Sequence, residues 1–115
     1  MKLREILEVL EGELLTDPGQ LDRDINCAFG SDLISDILMC TQEPTLLLTG
    51  LTNPQIIRMT DMIDVLGIIM VRGKTPPQNI IDMANERDLP IIGTKLTMYK
   101  SCGILYNTGL RSCKI

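Results

Sequence analysis

Between residues 45 and 94 the chain repeats one pattern three times: an unbroken apolar run, a glycine turn with a hydroxyl residue, and a helix start. The first copy is Leu46-Leu47-Leu48-Thr49-Gly50-Leu51-Thr52-Asn53-Pro54. The second is Ile68-Ile69-Met70-Val71-Arg72-Gly73-Lys74-Thr75-Pro76-Pro77, and a shorter third is Ile91-Ile92-Gly93-Thr94. Continuous apolar runs, unlike alternating ones, belong to strands covered on both faces, as in a parallel sheet. The fold class predicted is therefore α/β, an open, mainly parallel sheet flanked by helices in a three-layer arrangement. The winding is ordinary βαβ alternation rather than a solenoid repeat, and residues 1–115 read as one domain.

The other elements follow from the same patterning. Leu3, Ile6, Leu7 and Leu10 mark one face of a first helix that Gly12 stops. Glu13–Thr16 reads as a short strand closed by the turn Asp17-Pro18-Gly19, and Ile25–Phe29 as a second strand. Ser31 or Asp32 is expected to cap a helix whose apolar face is Leu33, Ile34, Ile37 and Leu38. Asn53 is expected to cap the next, with Pro54 at its first position, Ile56, Ile57, Thr60 and Ile63 inward, and Met59 and Met62 on its flanks. Gly67 should open the strand Ile68–Val71. Thr75 should cap a helix begun by Pro76, with Ile80, Ile81 and Ala84 inward. A last helix from about Thr97 to Tyr106 turns Met98, Cys102 and Leu105 inward, and 110–115 reads as a loose tail.

Composition narrows the function classes. Aromatic residues make up only 3% of the chain, so the core must be aliphatic with methionine filling gaps. The net charge is −4 and no long basic run exists, which argues against a nucleic-acid groove or stacking platform. A small basic spot is formed by Arg72, Lys74 and Lys95. The start of the chain reads as an amphipathic helix rather than a secretory leader, and no apolar run approaches ~18 residues. Cytoplasmic residence and no membrane partner are the resulting expectations. The cysteines at 27, 40, 102 and 113 form no C-x-x-C pair and the chain has no histidine, so no metal site is expected.

The candidate ligand-binding residues are Gly30, Ser31, Gly50, Thr52, Asn53, Gly73, Lys74, Thr75, Thr94 and Lys95. In a parallel sheet these turns share one edge, the edge at which open α/β folds take ligands. Their free N–H groups, helped by Lys74 and Lys95, suit an anionic small molecule such as a phosphate, carboxylate or nucleotide. The same residues also serve as plain caps and turn formers. Gly73-Lys74-Thr75 ends like a phosphate loop, but position 68 is Ile where that motif needs Gly. The pairs Asp22/Asp24 and Asp61/Asp64, the latter beside Arg58, read as solvated, ion-paired surfaces. No catalytic set is recognisable: the hydroxyl and thiol side chains lack a histidine base.

Residues 22–110 resemble the DRTGG domain family, in particular its small stand-alone members, and are similar to the N-terminal domain of HPr kinase/phosphorylase. The resemblance is carried by Asp22-Arg23-Asp24-Ile25, Gly30-Ser31-Asp32-Leu33-Ile34-Ser35-Asp36, Ile68–Pro76 and Leu89-Pro90-Ile91-Ile92-Gly93-Thr94-Lys95. Two turns depart from the family pattern. Gly50-Leu51-Thr52 stands where a Gly-Asp-Arg turn is expected, and Val71-Arg72-Gly73 replaces a Thr-Gly-Gly turn. The resemblance implies a non-catalytic regulatory or assembly module, no cofactor, a homodimer, and a further protein partner of unspecified identity. The alternative function is a sensor binding an anionic small molecule or nucleotide at the C-terminal edge of the sheet. Met59 and Met62 are the candidate contact surface for assembly.

Overall fold

Leu46 and Leu48 pack on one side of the strand Thr45–Thr49 and Leu47 on the other, and all five residues of that strand are buried. Such alternation across two covered faces is what an unbroken apolar run looks like in three dimensions. In the computed structural model, which describes residues 1–114, six strands form one sheet. They are β1 (Glu13–Leu14), β2 (Cys27–Gly30), β3 (Thr45–Thr49), β4 (Val65–Met70), β5 (Ile91–Gly93) and β6 (Arg111–Ser112). The spatial order is β1-β5-β4-β3-β2-β6. Every pair is parallel except β1 with β5.

Five helices cover the sheet: α1 (Leu3–Val9), α2 (Ile34–Ile37), α3 (Gln55–Arg58), α4 (Gln78–Glu86) and α5 (Met98–Asn107). Ile37 of α2, Ile56 and Ile57 of α3, and Ile80 and Ala84 of α4 pack with Leu47, Ile68 and Met70 on one face. Leu3 and Ile6 of α1 and Leu105 of α5 pack with Leu46, Leu48, Ile69 and Val71 on the other. The result is the expected three-layer α/β arrangement.

The connections have a simple logic. Three successive crossovers through α2, α3 and α4 step from β2 to β5, all over the same face. The fourth, through α5, returns over the opposite face to β6 at the far edge. The switch of faces therefore falls between β4 and β5, whose outgoing connections leave to opposite sides.

Several local expectations need correction. The tail forms β6, registered with β2 through Cys27↔Arg111 and Ala28↔Ser112, and Leu110 and Cys113 are buried; Ile115 lies outside the described residues. Backbone pairing supplied by β2 outweighs the lack of any apolar pattern. Gly67 does not open β4 but lies inside it, opposite Leu46, where a Cβ would meet Leu46 and Pro90 at 3.4 Å, an ordinary contact. α2 is a single turn, and Leu33, expected inward, is 56% exposed. Met59 is buried against α2 and α3 residues rather than flanking, while Met62 is exposed. Gly12 follows the first helix because of proximity: a Cβ there would sit 2.6 Å from Ile92 Cγ2.

β6 is held by more than its short ladder. Arg111 grips Glu43, just before β3, through two hydrogen bonds of 2.6 and 2.5 Å. The Arg111 guanidinium lowers the Glu43 carboxyl from its ordinary 4.5 to about 2. A carboxyl depressed in the folded state stabilises fully above its unfolded value and loses that contribution as pH falls through the folded one. Acid titration followed by circular dichroism should therefore show stability falling between pH ~4.5 and ~2, with a shallower fall in Arg111→Met. An unchanged acid slope in the variant would remove this pair from the anchoring of β6.

Candidate functional site

All ten candidate residues lie where their strands or turns reach the same edge of the sheet, the C-terminal end of β2, β3, β4 and β5. They form two groups. Gly30, Ser31, Gly50, Thr52 and Asn53 follow β2 and β3, whose connections leave over one face. Gly73, Lys74, Thr75, Thr94 and Lys95 follow β4 and β5, whose connections part to opposite faces. Adjacent strands that send their chains to opposite faces leave a crevice between them, the place where open α/β sheets take ligands.

A cavity of about 350 Å³ occupies that crevice. Gly73, Lys74, Thr75, Thr94 and Lys95 line it from the strand ends. The end of α1 and the start of β1 close it with Leu10, Glu11, Glu13 and Leu15. Cavities of this size fall within the range for small-molecule sites. The walls combine apolar leucines, two ammonium groups and two carboxylates. Neither Lys74 nor Lys95 has a carboxylate within 4.0 Å among the described residues.

The hydrogen bonds sort the group into frame and free. Thr94 is buried; its hydroxyl donates to the Leu10 carbonyl at 2.7 Å and accepts from the Leu96 N–H at 3.2 Å. It ties α1 to β5, and its one proton is committed to the Leu10 carbonyl. The Arg72 and Gly73 N–H groups donate to Leu96 and Thr94 carbonyls at 2.8 Å each, locking the two turns together. Both residues have positive φ, 60° and 67°. Glycine tolerates this without strain, whereas an arginine in the left-handed region is uncommon. The expectation of free N–H groups converging along the edge is thus corrected: most are engaged inside the protein. Lys74 and Thr75 remain exposed.

The caps were also reassigned. Thr75 does not cap α4, which starts later, at Gln78, after Pro77. A second proline in the sequence delays the first turn. Asn53 stands one residue before the N-cap, which is Pro54 rather than Asn53, yet its side chain still accepts from the first helical N–H, that of Gln55, at 3.0 Å. Ser31 accepts from Leu33 N–H at 3.0 Å. Asp32 caps nothing; its Oδ1 accepts from Gly50 N–H at 2.7 Å and from the Thr49 hydroxyl at 3.0 Å, joining the β2 and β3 turns. The Arg72 guanidinium lies against Gly50, about 3.0 Å from where a Cβ would stand. The carboxylates Asp22 and Asp24 pair with Arg4 and Lys2, and Asp61 with Arg87 rather than Arg58. Glu11 and Glu13 were missed as pocket residues, because only the strand order brings the first helix over the β4–β5 crevice.

A family model described as the DRTGG domain matches residues 5–107 of the chain. The chain belongs to the DRTGG domain family. Its fold is similar to a crystal structure of the CBS and DRTGG domains of the regulatory region of Clostridium perfringens pyrophosphatase, complexed with the activator diadenosine tetraphosphate. The match has a TM-score of 0.70 and 16% identity, and covers 98% of this chain and 51% of that one. This DRTGG domain thus spans about half the length of that chain. No curated protein matches the sequence.

Frame and free residues should respond differently to truncation. Asp32→Ala leaves the hydroxyl of buried Thr49 without its acceptor, while water can reach the Gly50 N–H, a loss of about 1 kcal/mol or more. Thr75→Ala removes an exposed group with no capping role and should stay within about 0.5 kcal/mol of the parent. Urea unfolding of the two variants checks the contrast; equal effects would contradict the assignment.

Proposed function

We propose that this DRTGG domain is a non-catalytic regulatory module that receives a nucleotide in the β4–β5 crevice. The observation that carries the reading is the cavity itself, set at the topological switch point and bearing the exposed Lys74 and Lys95. Two ammonium groups suit phosphate oxygens, and a lysine reaches them as a flexible point charge. Half-buried Leu15 and Leu96 offer an apolar wall for a base. Glu11 and Glu13 offer acceptors for amino or hydroxyl groups, which a bare phosphate ion would not use. The fold neighbour is the regulatory region of an enzyme crystallised with a dinucleotide activator, which supports both the regulatory role and the ligand class. In this reading Gly73 and Thr75 shape the rim, Thr94 is frame, and the β2–β3 turns with Gly30, Ser31, Gly50, Thr52 and Asn53 lie beside the site.

A second reading, assembly, rests on α5. Tyr99 and Tyr106 are 91% and 73% exposed on that helix, and with Ile104 they border a shallow open depression. Large exposed aromatics on one face favour contact with another protein surface. A cytoplasmic homodimer, the working state we propose, would use this face or the exposed Met62. The Met59 half of the methionine surface is withdrawn, since that side chain is in the core.

Two measurements separate the readings. Thermal-shift titration with diadenosine tetraphosphate, ATP and inorganic phosphate should raise the melting point with nucleotides more than with phosphate. Lys74→Glu should abolish the gain without lowering the ligand-free melting point. A shift that survives Lys74→Glu and Lys95→Glu together would place any ligand elsewhere. For assembly, Tyr99→Asp with Tyr106→Asp should convert a dimer to a monomer in light scattering; an unaltered mass would take α5 out of the contact.

A further inference from the structure

Three of the four cysteines form a separate cluster at the β6 edge. Cys27 of β2, Cys40 just beyond α2, and Cys113 just beyond β6 pack together with Phe29 against them. Within it the Cys40 and Cys113 sulfurs approach to 2.9 Å, although the residues are 73 positions apart in the chain. Both side chains are buried and both thiols are free. Cys27 is otherwise engaged, its thiol lying 3.3 Å from the Pro44 carbonyl and 3.6 Å from the Thr45 hydroxyl. A mere apolar filler does not require two sulfurs to face each other across elements so distant in sequence.

We propose that Cys40 and Cys113 are a covalent modification site, a dithiol that a peroxide converts to a disulfide fastening β6 to the end of α2. Two-residue β6 lies at one edge of the sheet, where local opening requires less free energy than in the central strands. Opening exposes Cys113 while leaving Cys40 in place. The Cys113 thiolate attacks one peroxide oxygen; an S–O bond forms, the O–O bond breaks, and the departing hydroxide takes a proton to become water. When β6 reseats, the Cys40 sulfur attacks Cys113. The S–S bond forms, the S–O bond breaks, and the hydroxide leaves as a second water with the Cys40 proton. The two sulfurs together give up two electrons, and the peroxide accepts them. The first attack falls to Cys113 because it follows the strand that opens, while Cys40, whose thiol is raised by burial and by the Cys113 thiol beside it, is the later partner.

The test uses the full chain, reduced and then treated with hydrogen peroxide. Peptide mapping should find the 40–113 link with a mass loss of about 2 Da, reversed by a phosphine. Closing so long a loop should raise the melting point by about 5 °C or more. Cys27→Ser should behave like the parent, whereas Cys113→Ser should lose both the link and the gain. Because the mapping is done on the parent protein, it does not depend on any variant folding. A link that involves Cys27 or Cys102, a link between chains, or no link at all would overturn the assignment.

Discussion

The structure depends on one constraint: the apolar runs of β3 and β4 must be covered on both faces. Leu46 and Leu48 need a layer on one side, and Leu47, Ile68 and Met70 need one on the other. Parallel pairing meets this need, because each return to the start of the sheet lays a helix across a face. Parallel pairing also gathers every outgoing turn at one edge. The site is thus a by-product of how the core is buried, and what distinguishes one turn from another is the direction in which its chain departs.

That direction changes once on the outgoing edge, between β4 and β5. Three crossovers march over one face, and the fourth must recross the sheet because its strand, β6, pairs with β2 at the far edge. The crevice with Lys74 and Lys95 follows from this return. β6 therefore does more than end the chain. Its docking, held by Arg111 on Glu43 and adjacent to the Cys40–Cys113 pair, draws α5 across the face opposite α4.

Much of this was legible in the residues. The runs 46–48, 68–71 and 91–92 marked the central strands and their parallel character, and the helical spacings marked α1, α4 and α5. The gathering of the glycine turns at one edge was legible, though not their division into two groups. The misses share a cause: each depends on a partner distant in sequence. Arg111-Ser112 carries no periodicity and becomes a strand only because β2 offers an unpaired edge. Gly67 looked like a strand opener, but it pairs with Leu46 inside β4. Thr75 and Asp32 have the chemistry of caps, yet Pro77 delays one helix and the turn after β3 draws Asp32 away from the other. Glu11 and Glu13 gave no signal, since strand order alone brings them to the crevice.

The central claim is that the β4–β5 crevice, and not the β2–β3 turns or the α5 face, receives a nucleotide. Amide chemical-shift mapping during titration with a nucleoside polyphosphate addresses it residue by residue. Shifts concentrated at 10–15, 72–75 and 93–96 are the predicted result. Shifts centred on residues 98–107 or on 30–32 and 50–53, or none at saturating nucleotide, would contradict it.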